Sequence, residues 1–175
     1  MFSNTPAEMR GRKILYKSTT TGNTIQKRRE KPMNEETIEL LKEIDSGCLM
    51  AINSFQQLEE YQMPQGLYEL VAKYKAKHDE IQKEASGLLH KYHETDKQPG
   101  MMASAMSWMT TEMKMMMRED GTQVTKIIMN GCNMGIQQIG EKMHHYENAS
   151  DEAKKLAEKL IKTEENLLSE IKEYL

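Results

Sequence analysis

Aromatic residues are scarce in this 175-residue chain: one Trp, two Phe and seven Tyr, 6% in all. Proline is limited to four residues and glycine to ten. So few turn formers disfavour an all-β or collagen-like fold, and a chain rich in Lys, Glu, Met, Leu and Ile suits long helices. No apolar run approaches the roughly 20 residues of a membrane-spanning helix; the longest is Cys48-Leu49-Met50-Ala51-Ile52. The N-terminus also lacks the apolar segment of a secretory signal. A soluble, cytoplasmic protein without a membrane partner is therefore expected. Two cysteines, Cys48 and Cys132, stand far apart with no Cys-x-x-Cys spacing, which excludes a disulfide framework and a zinc finger. Sixteen oxidisable methionines fit a reducing compartment. With 29% charged residues and a mean hydropathy of -0.75, one folded domain is expected.

Charge is divided unevenly. Residues 1–32 carry eight Lys/Arg against Glu8 and Glu30, whereas 33–175 carry sixteen against twenty-five acids. The first stretch strings Ser, Thr, Asn and Gly around Ile14-Leu15-Tyr16 with no periodic apolar face, so it buries too little to offset chain entropy. A disordered basic tail is expected over 1–32, with a helical domain over 33–175. The Lys27-Arg28-Arg29 and Lys31 cluster also suits an arm for nucleic acid or acidic lipid. A third reading is that Arg28-Arg29-Glu30 is encoded by a purine-rich ribosome-binding tract, which would make 1–32 an untranslated leader and Met33 the true start.

From Asn34 onward apolar residues recur at helical spacing. Asn34 is the expected N-cap, followed by Glu35 and Glu36 where the helix dipole favours anions. The first helix is predicted over about 35–61, with Leu41, Ile44, Cys48, Ile52 and Phe55 inward and Ala51 and Leu58 on one flank. Pro64 and Gly66 break the chain. The second helix, about 66–93, turns Leu67, Leu70, Val71, Tyr74, Ile81, Ala85, Leu88, Leu89 and Tyr92 to one side. After Pro99-Gly100, a shorter helix is predicted over 101–117. A long one follows over 122–147 on Val124, Ile127, Ile128, Gly131, Met134, Gly135, Ile139 and Met143. The last opens at a Ser150 N-cap and runs to the C-terminus on Leu156, Ala157, Leu160, Leu167, Leu168 and Ile171. Four long amphipathic helices with a crossover carrying a short one give an all-α, ferritin-like four-helix bundle. Gly131 and Gly135, one turn apart, are read as sites where a neighbouring backbone approaches closely.

Such bundles do iron chemistry when inward carboxylates and two Glu-x-x-His pairs surround two metal ions. Here the inner faces of the first two helices hold no acid at their centres. Asp45 and Glu59 fall at the edge of the first, Glu80 and Glu84 point away, and the single Glu-x-x-His, Glu141 and His144, lies on a solvated face. Two ionisable residues do fall on apolar faces: His78, between Tyr74 and Ile81, and Glu164, between Leu160 and Leu168. As a functional pair they are candidate metal ligands or proton-exchange groups; as a structural pair they form one hydrogen bond inside a core. The structural role is the expected one, because one His and one Glu fall short of a coordination shell.

Eleven of the sixteen methionines lie between Met101 and Met143, and Met102, Met106, Met109, Met113 and Met116 form a helical stripe beside Trp108. Thioethers bind Cu(I), but their adaptability suits core or interface packing first. Cys48 and Cys132 are read as packed thiols. No phosphate-cradling loop or dinucleotide fingerprint occurs, and basic residues of the bundle alternate with acids, so no cofactor and no nucleic acid are expected there.

Met106-Ser107-Trp108-Met109, followed by Asn130-Gly131-Cys132-Asn133-Met134-Gly135, resembles an uncharacterised group of short proteins in anaerobic Firmicutes. More distantly it is similar to a bacterial ferritin-like family of unknown function. The resemblance covers about 35–175. The distant family has acids around its Cys-x-x-Gly, in a Cys-Glu-x-Gly-Glu arrangement, where this chain has Asn133 and Ile136, and it often carries a His in the last helix that is missing here. The resemblance therefore implies a bundle without iron, and the apolar Met and Trp surface of the short crossover helix, more than it can bury alone, leads to an expected homo-oligomer. A non-enzymatic, self-associating or partner-binding protein is the expected reading, with metal handling (iron or copper) as the alternative.

Overall fold

In the computed structural model the chain divides into two units, 1–31 and 32–175. The structure describes residues 34–91 and 121–175, all within the second unit. The expected tail, the helix over 101–117, Trp108 and the stripe of Met102, Met106, Met109, Met113 and Met116 lie outside the described residues. Among those described there are four long helices, a terminal 3-10 turn and no strand: α1 Glu35–Leu58, α2 Gln65–Lys91, α3 Gly121–His145, α4 Asp151–Ile171 and the turn Lys172–Tyr174.

Each helix begins and ends for a local reason. Asn34 caps α1, its side-chain Oδ1 accepting from the Thr37 amide at 2.8 Å. Ser150 caps α4 by accepting from the Ala153 amide at 3.2 Å. In both, acids fill the first turn, where the exposed amides and the dipole favour negative charge. Past Leu58 the chain tightens into turns, with the Tyr61 amide donating to the Leu58 carbonyl at 3.1 Å, and Pro64 then prevents α1 from continuing into α2. The first and third long helices end at Leu58 and His145, a few residues short of their predicted limits, and the fourth gives way to a 3-10 turn after Ile171; the predicted end of the second lies outside the described residues.

The hairpin α1–α2 packs on the hairpin α3–α4, with α2 beside α4 and α1 beside both α3 and α4. Direction follows from the end contacts. The Asn148 amide and side chain donate to Glu36 at 2.7 and 2.9 Å, and the Ser150 amide donates to Thr37 Oγ1 at 2.8 Å. The start of α1 therefore meets the turn between α3 and α4. At the other end, Thr125 Oγ1 lies 3.1 Å from the Gly121 carbonyl and 3.2 Å from that of Tyr174. So α3 runs parallel to α2, and Lys91 and Gly121 lie toward opposite ends of the bundle.

The apolar core forms two clusters. One holds Leu40, Leu41, Ile44, Cys48, Ile81, Ala85, Leu89, Ile139, Ala153, Leu156, Ala157 and Leu160. The other holds Phe55, Leu58, Leu67, Val71, Tyr74, Val124, Ile128, Cys132, Leu167 and Ile171.

The inner face of α3 differs from the expected one. Val124, Thr125, Ile128, Cys132 and Ile139 are buried, whereas Gly131 is exposed and Met134 is 41% exposed. No neighbour among the described residues lies within 4 Å of the position a Cβ at Gly131 would take, so the described helices make no close approach there. Apolar residues surround α3 on more than one side, and periodicity alone picked a stripe displaced toward Ile127 and Met134. Asp45, placed at an edge by the same wheel, is 1% exposed and accepts from Gln82 Nε2 at 2.8 Å. Ile52 is half-buried.

Candidate functional site

The seam between the two apolar clusters is polar, and each helix contributes to it near its own midpoint. His78 of α2 and Glu164 of α4, singled out on separate apolar faces, meet there: His78 Nε2 lies 3.0 Å from Glu164 Oε1. The ring is fully buried and the carboxylate nearly so. His78 Nδ1 lies 2.8 Å from the Tyr74 carbonyl one turn earlier, and the Phe55 ring from α1 stands edge-on to the imidazole, with centroids 5.4 Å apart. Gly135 of α3 faces the other partner, since a Cβ there would lie 3.3 Å from Glu164 Oε1. Among the described residues, Gly135 is the one of the two glycines with a close approach, and it is to a side chain.

Cys132 of α3 and Cys48 of α1 both lie within the electrostatic reach of the Glu164 carboxylate. Both thiols are buried and reduced. Burial first, and the Glu164 charge second, push both thiols well above the ordinary cysteine range, so neither supplies a thiolate for catalysis or metal binding. Burial works against a charge on His78. The Glu164 hydrogen bond and charge, helped by the Tyr74 carbonyl, outweigh it and raise the imidazole above its ordinary value.

These contacts give His78 and Glu164 to each other. Protonated at both nitrogens, the form that donates to both oxygens, the ring has no lone pair for a metal. Among the described residues no three His, Cys, Asp or Glu side chains are placed to hold a metal ion. Glu141 and His144 are exposed on the outer side of α3, with Glu141 Oε1 accepting from Gln137 Nε2 at 2.9 Å. Glu59, at the C-terminal cap of α1, accepts from Lys75 of α2 through both oxygens, at 2.6 and 2.8 Å. The buried Tyr74 hydroxyl donates to Glu170 at 2.7 Å, and Lys73 pairs with the same carboxylate at 2.6 Å. Burial first, then this bond, raises the Tyr74 phenol above its ordinary range.

Helical periodicity located His78 and Glu164 and read them as a pair, but gave no sign of the Tyr74 carbonyl and Phe55 ring against the imidazole. Cys48 and Cys132 were legible as inward thiols, and one signal joins all four residues: each lies near the middle of its helix, so antiparallel and parallel rods of similar length bring them to one level. The buried Asp45 and the Asn34–Glu36–Asn148 clasp left no such signal.

No family model matches the chain, and no curated protein matches it. Among solved structures it is similar to the crystal structure of a DUF305 fragment from Deinococcus radiodurans, at 10% identity, with a TM-score of 0.66, covering 81% of this chain and 96% of that one. At that identity the likeness shows the fold alone, a helical bundle shared with a domain of unknown function. No helix among the described residues is long and apolar enough to cross a membrane.

Proposed function

We propose that this chain is a non-enzymatic, ferritin-like helical bundle of the cytoplasm, which works by self-association or by holding a protein partner and carries no resident metal or cofactor. The observation that carries the reading is the self-contained polar centre. His78 is engaged at both nitrogens, one of them with Glu164, and the Cys48 and Cys132 thiols are buried. Such a centre fastens helices and leaves no ligand position or nucleophile open. The ferritin-like assignment is supported by α3 running parallel to α2, which requires one long return connection. Kinship with the Firmicutes group rests on the Trp-Met and Cys-x-x-Gly motifs. The methionine stripe and Trp108 are the surface proposed for association between copies, since flexible thioethers adapt to a partner.

Anaerobic purification followed by elemental analysis and light scattering tests both halves of the reading. The expected result is well under one transition metal per chain and a mass above that of the monomer. Stoichiometric iron, manganese or copper would overturn it in favour of a metal-handling bundle, and a sharp monomer mass would remove the self-association.

A further inference from the structure

We propose that His78 is a buried imidazolium that latches α2 to α4, and that removing its Nε2 proton opens the middle of the bundle and gives reagents access to the Cys48 and Cys132 thiols. The latch goes beyond the proposed function and does not depend on self-association.

The argument starts from the ring's two contacts. Nδ1 faces the Tyr74 carbonyl at 2.8 Å and Nε2 faces a Glu164 carboxylate oxygen at 3.0 Å. Both are acceptors, and the doubly protonated ring is the form that donates to both. A neutral ring has one N–H, so one lone pair must turn against an oxygen where no solvent reaches it. Every helix contributes a titratable or charged group to this surrounding: Asp45 and Cys48 from α1, Tyr74 and Lys77 from α2, Cys132 from α3 and Glu164 from α4. Lys77 opposes the imidazolium and Glu164 favours it. When the Nε2 proton passes to solvent, Glu164 loses its buried countercharge, which is a costly state to keep closed.

Position makes the consequence local. The pair lies between the two apolar clusters, with Cys48 in one and Cys132 in the other. The clusters persist when the pair is released, so the expected event is a partial opening at the seam and not loss of the helices. Both thiols, inert while buried, then become reachable.

The test uses the full chain. Iodoacetamide labelling of each cysteine is followed by mass spectrometry across a pH series, and each rate is divided by that of the same cysteine in the urea-unfolded chain at the same pH, which removes ordinary thiolate formation. Nitrogen NMR of labelled histidine reports the His78 protonation state in parallel. The expected result is two protonated ring nitrogens at neutral pH, and thiol protection that falls at least tenfold, with a midpoint matching the His78 titration, at unchanged helicity. Glu164→Gln, which removes the countercharge and keeps a polar side chain, should move that midpoint to lower pH, and His78→Leu should abolish the pH dependence. A His78 with one protonated nitrogen at neutral pH overturns the proposal, as does protection that is flat across its titration. If His78→Leu fails to fold, the wild-type NMR and the Glu164→Gln midpoint still decide.

Discussion

Replacing His78 by Leu strands the Glu164 carboxylate in the interior beside a thiol, a loss of roughly 3–5 kcal/mol for a buried pair broken on one side. The double change His78→Leu with Glu164→Leu should recover most of it, because two apolar residues need no partner. Urea unfolding of the three proteins checks both statements. The pH dependence has a definite sign. The folded protein holds the His78 proton above the ordinary value of 6.5, so the stabilisation is complete below that pH and is lost as pH rises through the folded value. Wild type should lose stability over that window relative to His78→Leu. Glycines give a second comparison at this scale. Gly131→Ala adds a methyl group where no described neighbour stands and should stabilise the helix by about 0.5–1 kcal/mol. Gly135→Ala places a Cβ 3.3 Å from Glu164 Oε1, so the carboxylate that pairs with His78 must give by a few tenths of an ångström. Its urea midpoint should fall below that of Gly131→Ala.

At the scale of elements, the bundle is fastened at one end by a clasp between the start of α1 and the turn before α4. Asn34 caps α1 and also donates from Nδ2 to the Asn148 carbonyl, while Glu36 receives both the amide and the side chain of Asn148. Those two bonds hold the Glu36 carboxyl below its ordinary value of 4.5. The clasp is therefore complete above that pH and weakens as pH falls through the lowered value. Hydrogen exchange should show protection at Thr37 and Ile38 fading in acid before that of the α2 middle, and Asn148→Ala should produce the same loss at neutral pH. Ser150→Ala removes the α4 cap and should cost about 1 kcal/mol, read as a lower midpoint in thermal or urea unfolding. Across the helices, Lys75 on Glu59, Lys142 on Glu43 and Lys159 on Glu84 tie neighbouring rods. Of these, Glu43 raises the Lys142 ammonium above its ordinary value through a hydrogen bond.

For the whole molecule, two apolar clusters and a polar seam fill the described bundle, and the proposed contact with other molecules is placed at its surface. The proposed self-association gives a direct prediction. Met106→Gln with Met113→Gln should lower the mass seen in light scattering toward the monomer, while far-UV helicity stays at its wild-type level, because polar amides weaken an apolar interface without breaking helix propensity.

What the amino-acid sequence determined by itself was the number of described long helices, their caps at Asn34 and Ser150, and the inward placement of His78 and Glu164. Those features are written locally, in apolar period and in single side chains that satisfy the first free amides of a helix. The tertiary structure decided which face of α3 turns inward, since Ile127, Gly131 and Met134 compete with Val124, Ile128 and Cys132 for the same role and only the shape of the other three helices separates them. It also decided that Asp45 is buried against Gln82, and that His78, Glu164, Cys132 and Cys48 share one level. Their mutual contacts depend on how far each rod slides along its neighbour, a quantity that no single helix encodes.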